Sequence, residues 1–152
     1  MILPAIIIIS AILIYFRSKS HHGMMHETGK KPIQAFVIPE DRVIEGEKIF
    51  STHCISCHGP GGGGQDKSRP QGGKDKNGLI LAPALNGTGH TWHHPPMMNF
   101  FKIKNGSQAP DSPMRGFRGK ITDEQIKSVI WFLYSIWPEE IKSRYQHHMT
   151  SF

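Results

Sequence analysis

Cys54-Ile55-Ser56-Cys57-His58 is the stretch of this sequence that decides the fold. Two cysteines separated by two residues and followed at once by a histidine form the attachment signature of c-type haem. The two sulfurs form thioether bonds to the haem vinyl groups, and the adjacent imidazole reaches the iron from one side. We therefore predict one covalently bound haem c, attached at Cys54 and Cys57, with His58 as an iron ligand.

Two other uses of a cysteine pair were weighed for this stretch. A structural zinc site needs four ligands, and the chain has no second cysteine pair. A thioredoxin-like dithiol would need a βαβ context, and no such pattern is visible. Because both cysteines are assigned to the haem, no disulfide within the chain is expected.

Composition and charge restrict the class of protein. The 152 residues favour one domain, and the 16 glycines and 11 prolines predict many turns. A formal net charge of +6 favours acidic partners. Nucleic acid is not expected as a partner, because the sequence shows no stripe of interleaved aromatic and basic residues.

The N-terminal stretch predicts a membrane anchor. Residues 2–16 carry no charged side chain. As a helix rising about 1.5 Å per residue they fall short of the roughly 30 Å hydrocarbon core, and Tyr15 can help at the interface. The alternatives are a cleaved signal peptide and a start assigned a few residues too late. We predict a transmembrane anchor over residues 1–17.

Two arguments conflict about the side of the membrane that holds the haem domain. Arg17 and Lys19 follow the span, and positive charge favours the cytoplasm. Covalent haem attachment normally takes place outside the cytoplasmic membrane. Since two charges give only a small bias, we expect the inner membrane, with the haem domain on the periplasmic or external side.

Two clusters of histidine and methionine raise the possibility of copper. Residues 18–38 are predicted to be a tether, for which a solvated linker is the other interpretation. Methionine thioethers select Cu(I). The first cluster lies in the tether and consists of His21, His22, Met24, Met25 and His26. The second consists of His90, His93, His94, Met97 and Met98. An alternative function is therefore copper handling with a redox haem, although Pro95-Pro96 argues against one continuous helix through the second cluster.

Three helices are predicted from periodicity and caps. Residues 40–53 form the first, with Gly46 and Phe50 on one face. Residues 95–104 form a short second helix with proline at its start. The last main helix begins at Thr122, where Thr122 and Gln125 make a capping box.

The remaining segments are predicted to be less regular. Residues 59–81 read as a polar surface loop with four consecutive glycines, and the Gly-Lys-Ser/Thr ending of a phosphate-binding loop is missing. A further short helix follows Pro138, and residues 146–152 are expected to be frayed. Four basic residues of the loop add to a basic rim: Lys67, Arg69, Lys74 and Lys76.

Two isolated residues are candidates for the iron environment. A proline after the loop, as in Leu81-Ala82-Pro83, can present its own or its preceding carbonyl to the axial histidine, whose ring needs such a partner. Met114 lies in a loop between Pro113 and the Thr122 cap, and a thioether on the far side of the iron raises the reduction potential.

Residues 40–137 resemble a class I c-type cytochrome, of a membrane-linked bacterial type. The pieces that carry the resemblance occur in the family's order: Gly46-x-x-x-Phe50, Cys54-x-x-Cys57-His58, Pro83, Ile103-x-Asn105-Gly106, Met114 and Phe132-Leu133. The resemblance implies a small all-α fold around one haem, after the N-terminal helix. It also implies His58 and Met114 as axial ligands, the Pro83 carbonyl on His58, and Gly46 against Phe132. The cytochrome c domain would span residues 39–138, followed by a C-terminal extension over residues 139–152.

The function expected from this set is one-electron transfer by a carrier that is not itself an enzyme. Iron with two axial ligands has no open site for a substrate. The expected partners are a quinol-oxidising complex as donor and a terminal oxidase or copper enzyme as acceptor. They would dock on a haem edge ringed by Lys102, Lys104, Arg115, Arg118 and Lys120. An open-site haem sensor or peroxidase is the alternative if Met114 does not bind the iron.

Overall fold

Helices dominate the computed structural model, which describes residues 36–152 as one unit. The α-helices are α1 (Glu40–His53), α2 (Ile55–His58), α3 (Pro96–Asn105), α4 (Asp123–Ser135) and α5 (Glu139–Met149). Two 3-10 turns cover Pro60–Gly62 and Thr91–His93. Strands β1 (Gly73–Lys74) and β2 (Ile80–Leu81) form one short antiparallel ribbon. The predicted helical fold and the three predicted helices are confirmed for this part of the chain.

The crossing of α1 and α4 is organised around Gly46. A Cβ atom at this position would lie 2.0 Å from the Ser128 carbonyl oxygen and 2.8 Å from the Phe132 Cβ atom. Only glycine allows the two backbones to approach so closely. Phe50 and Phe132 pack beside the crossing, with ring centroids 5.3 Å apart. The predicted contact between Gly46 and Phe132 is confirmed.

Helix α4 begins with the predicted capping box. The Thr122 hydroxyl accepts a hydrogen bond from the Gln125 amide at 3.1 Å, and the Gln125 side chain accepts one from the Thr122 amide at 2.9 Å. These bonds satisfy two amides that have no partner inside the helix. The cap therefore fixes where α4 starts.

The core has two hydrophobic clusters, and α4 contributes side chains to both. The first lies between α1 and α4 and contains Ile49, Phe50, Val129, Phe132 and Leu133. The second joins α3, α4 and α5 and contains Phe100, Ile126, Ile130, Tyr134, Trp137, Tyr145 and Met149. Because the first cluster borders the cavity described below, α4 links the general core to the candidate site.

The prediction that residues 146–152 are frayed is wrong. Helix α5 continues to Met149, whose side chain is only 2% exposed. Tyr145 is also buried, and its hydroxyl donates to the His94 carbonyl at 2.5 Å. The reason for the difference is tertiary packing, because the few apolar residues of a polar segment all face the core. The segment predicted as a C-terminal extension thus shares the core of the domain.

The segment predicted as a plain polar loop, residues 59–81, is more regular than expected. It contains the Pro60–Gly62 turn and the β1–β2 ribbon. Gly62 is buried, and its carbonyl accepts from the amides of Leu85 and Asn86 at 2.7 and 3.2 Å. These long-range contacts fix the start of the loop against the chain that follows Pro83.

The predicted anchor, residues 1–17, and most of the tether, including its histidine and methionine cluster, lie outside the described residues. Among residues 36–152, no helix is both long and apolar enough to cross a membrane. The membrane prediction therefore stays a prediction.

Candidate haem site

One large cavity collects the residues singled out for the cofactor. Its volume is about 660 Å³, within the roughly 300–1,000 Å³ of small-molecule and cofactor sites. Five predicted site residues line it: Cys54, Cys57, His58, Pro83 and Met114. Apolar side chains from α1 and α4 make up part of the wall, including Phe50, Val129 and Leu133. Residues 60 positions apart in sequence thus meet around one space.

His58 is fixed in orientation by the predicted contact with Pro83. Its Nδ1 atom lies 2.9 Å from the Pro83 carbonyl oxygen. A carbonyl can only accept, so Nδ1 carries the hydrogen and Nε2 keeps the lone pair that a metal ligand needs. Burial lowers the pKa of His58, against the opposite effect of this hydrogen bond. The ring is therefore held neutral, in the form that binds iron.

Cys54 immediately precedes α2 and Cys57 lies within it, and both line the same cavity. Burial, together with the nearby Cys57, raises the pKa of the Cys54 thiol to about 11. An activated redox dithiol needs a lowered pKa, so the environment of Cys54 argues against the dithiol interpretation. The main-chain bond from the His58 amide to the Cys54 carbonyl, at 2.9 Å, keeps the cysteine and the histidine on one short turn.

Met114 is held over the cavity by a loop that is fastened to the end of α3. Main-chain bonds run from the Ser107 amide to the Met114 carbonyl at 3.1 Å and from the Phe117 amide to the Ile103 carbonyl at 3.0 Å. Gly106 makes the turn possible with a φ of 84°. The loop therefore does not depend on the thioether for its position.

The second histidine and methionine cluster is divided by the structure. His90, His94 and Met98 line the cavity, and the rings of His90 and His94 lie 5.5 Å apart. His93 is exposed and lies against Trp92, with ring centroids 3.8 Å apart. Within residues 36–152, no group of three or more His, Cys, Asp or Glu could hold a metal ion.

The predicted basic rim is partly neutralised. Lys104 pairs with Asp123 at 2.7 Å, and Lys74 pairs with Asp111 at 3.4 Å. Arg69 pairs with Asp66 at 2.8 Å in the loop. Of the cations predicted around the haem edge, Lys102 and Arg115 are the two that line the cavity.

The residues present fit a covalently attached haem. The cavity joins two thiols for attachment, one oriented neutral imidazole and one thioether, with apolar walls that suit a porphyrin. His58 and Met114, the two predicted axial ligands, both line the cavity. Their roles as iron ligands stay predictions.

Sequence reasoning missed part of the cavity wall. Asn99 and Ile103 of α3 face the cavity beside the predicted Lys102, as do Gln65 and Leu81 of the loop segment. The spacing of the three α3 residues, at i, i+3 and i+4, was a usable signal. Nothing local in residues 59–81 indicates which of their side chains turn inward.

Comparison with known proteins gives a family match and a similarity to solved structures. A family model described as "Cytochrome C oxidase, cbb3-type, subunit III" matches residues 41–133. No curated protein sequence matches the chain. Among solved structures, a chain of the reducing HAO-like protein complex of Kuenenia stuttgartiensis is similar, with a TM-score of 0.50 and 19% identity. The similar part covers 67% of this chain and 46% of that chain, and at this identity the likeness concerns the fold alone.

Proposed function

The chain belongs to the cytochrome c family described as cytochrome c oxidase, cbb3-type, subunit III, and is a class I c-type cytochrome; from this premise we propose that it carries single electrons through one haem c. The observation that supports the proposal most strongly is the cavity that joins Cys54, Cys57, His58 and Met114. The chain contains one Cys-x-x-Cys-His motif and no further cysteine, which limits covalent attachment to one haem.

Each proposed site residue has a separate task. Cys54 and Cys57 hold the haem covalently, so that it stays in place even when the domain loosens. Pro83 keeps the His58 ring oriented, and Met114 would supply the second iron ligand. The haem, when bound, supplies one-electron redox chemistry. With two axial ligands the iron would have no open position for a substrate, so the site supports electron exchange.

The proposed partners are redox proteins that dock briefly. A quinol-oxidising complex would act as donor and a terminal oxidase or copper enzyme as acceptor, and the family description fits an oxidase setting. The net charge of +6 favours acidic docking surfaces. Electron-transfer rates with an acidic partner should therefore fall as salt is added.

We also propose that residues 2–16 anchor the chain in the inner membrane, with the haem domain on the periplasmic side. Protease added to intact spheroplasts should then remove the haem domain, while the anchor stays in the membrane fraction. Full protection of the domain until the cells are lysed would contradict this orientation.

Replacing Met114 tests whether this site is closed. In Met114→Ala, we expect loss of the absorption band that reports a sulfur–iron bond, a lower reduction potential and a large spectral change when CO is added to the reduced protein. Met97→Ala is the matched control, because Met97 is 47% exposed and does not line the cavity. The control should behave like the wild type.

The same measurement separates the electron carrier from the open-site alternative. Wild-type protein should show the sulfur–iron band and no CO-induced change. If the reduced wild type binds CO readily and Met114→Ala alters nothing, the iron has an open position and the proposal of a simple electron carrier fails.

A further inference from the structure

The charge on the cavity wall has one sign. Among the lining residues there is no aspartate or glutamate, while Lys102 and Arg115 are permanent cations, and His53, His90 and His94 are imidazoles besides His58. Haem carries two carboxylates on the edge opposite its vinyl groups. Because the vinyl edge would be held at Cys54 and Cys57, the carboxylates would lie against another part of the wall.

His90 and His94 share the cavity wall with Lys102 of α3, which lies close enough to His94 to oppose a positive charge on its ring. The two rings lie 5.5 Å apart at an angle of 83°, and both line the cavity. His53, by contrast, directly precedes Cys54 and belongs to the attachment end. The two histidines are brought together by the Thr91–His93 turn, not by a continuous helix.

The backbone around the pair is held firmly by side chains that do not depend on the imidazoles. The Tyr145 hydroxyl donates to the His94 carbonyl at 2.5 Å, and the Asn99 amide donates to the Thr91 carbonyl at 3.2 Å. The Trp92 indole donates to the Gly89 carbonyl at 3.0 Å. The rings can therefore be changed without removing the bonds that position this segment.

The environment of His94, including His90, His93 and Lys102, disfavours a positive charge on its ring. Burial lowers the pKa of His94, and so do the neighbouring His90, His93 and Lys102. From α5, Tyr145 faces the His94 backbone with a neutral hydroxyl. A carboxylate placed against the pair would reverse this balance and favour protonation. The site thus has the charge and the hydrogen-bond donors of a carboxylate-binding wall, and it lacks the acidic ligands of a cation site.

We propose that His90, His94 and Lys102 bind the haem carboxylates, and that the histidine pair takes up one proton when the haem is reduced. This inference rests on the proposed function, because it assumes a one-electron haem in the cavity. One electron arrives from a one-electron donor and one proton arrives from solvent at an imidazole nitrogen. No bond between heavy atoms forms or breaks, and the net charge of the site stays constant.

The sign of the coupling follows from electrostatics. Reduction removes one positive charge near the carboxylates, so the histidine pair binds a proton more tightly in the reduced state. The reduction potential must then fall as pH rises through the range between the pKa of the pair in the oxidised protein and its pKa in the reduced protein. A tenfold difference in proton affinity corresponds to about 59 mV for a one-electron couple.

The test is the midpoint potential of the holoprotein between pH 5 and 9, followed by spectroelectrochemistry. The variants are His90→Gln, His94→Gln and the double variant, with His93→Gln as the matched control, since its ring lies against Trp92 outside the cavity. We expect at least a tenfold difference in proton affinity for the wild type and the control. The double variant should show a potential that does not change with pH.

Three outcomes are distinguishable. A pH-dependent wild type with a flat double variant supports the inference, provided that the sulfur–iron band of the variant is retained. The inference is overturned if the midpoint potential of the wild type does not change with pH, or if the double variant keeps the pH dependence of the wild type. In both cases a reversible couple leaves the proposed electron transfer intact. A protein with no reversible one-electron couple refutes the proposed function itself.

Discussion

Adding one methyl group at Gly46 should weaken the domain, although the same change helps an isolated helix. Gly46 lies inside α1, where alanine is favoured over glycine by about 1 kcal/mol. In the folded domain, however, the new Cβ atom would stand 2.0 Å from the Ser128 carbonyl oxygen and 2.5 Å from its carbon. Both are backbone atoms of α4, so no flexible side chain can move out of the way.

The expected loss follows from the displacement required. Real Cβ atoms essentially never approach other heavy atoms closer than 3.0 Å, so α1 and α4 must separate by about 1 Å. Overpacking of a tight contact usually costs about 1–3 kcal/mol, and sometimes more. After subtracting the gain in helix propensity, we expect Gly46→Ala to lower the unfolding free energy by about 2 kcal/mol. That loss corresponds to a drop of roughly 8 °C in melting temperature.

The assay is guanidinium unfolding of the ferric holoprotein, followed by circular dichroism. Glu47→Ala is the matched control, because Glu47 is exposed on the same helix and its replacement should change stability by less than about 0.5 kcal/mol. A Gly46→Ala protein as stable as the wild type, or more stable, would refute the claim that the two backbones touch at this crossing.

Three further predictions concern stability. Met149→Ala should lose about 2–5 kcal/mol of unfolding free energy, because the side chain is 2% exposed in the core; thermal unfolding checks this. Thr122→Ala should lose about 1 kcal/mol by removing the cap of α4, measured by urea unfolding. Hydrogen bonds from Ser68 and then Arg69 lower the pKa of Asp66 to about 2. Its carboxylate therefore stabilises the fold above the unfolded pKa of about 3.9, and this contribution is lost as pH falls towards 2. Asp66→Asn should flatten the stability curve in that window, measured by urea unfolding at stepped pH.

Local signals in the sequence were enough for the helices and for much of the site. The capping box of Thr122 and Gln125 fixed the start of α4, and glycine at position 46 indicated a close helix contact. His58 and Pro83 are 25 residues apart; the residues alone left open which carbonyl meets the ring, and the resemblance to a family indicated that of Pro83. The cap and the glycine each depend on one residue or one short motif, which is why they were predictable from the sequence.

The features that were missed depend on partners far away in sequence. Helix α5 is polar in composition, and its order comes from Tyr145 and Met149 meeting a core formed by other helices. His90 and His94 were noticed as a possible copper cluster, but nothing local shows that they face the cavity while His93 does not. That distinction is made by the turn at Thr91–His93 and by the anchoring of its backbone.

The most direct test of the central claim is a reduced-minus-oxidised spectrum of the chain produced with a full cytochrome c maturation system, combined with extraction in acidified acetone. The account predicts that the haem stays with the polypeptide, because Cys54 and Cys57 hold it covalently, and that the oxidised protein shows the sulfur–iron band of Met114. A colourless protein, or a haem that is fully extracted, would contradict the account.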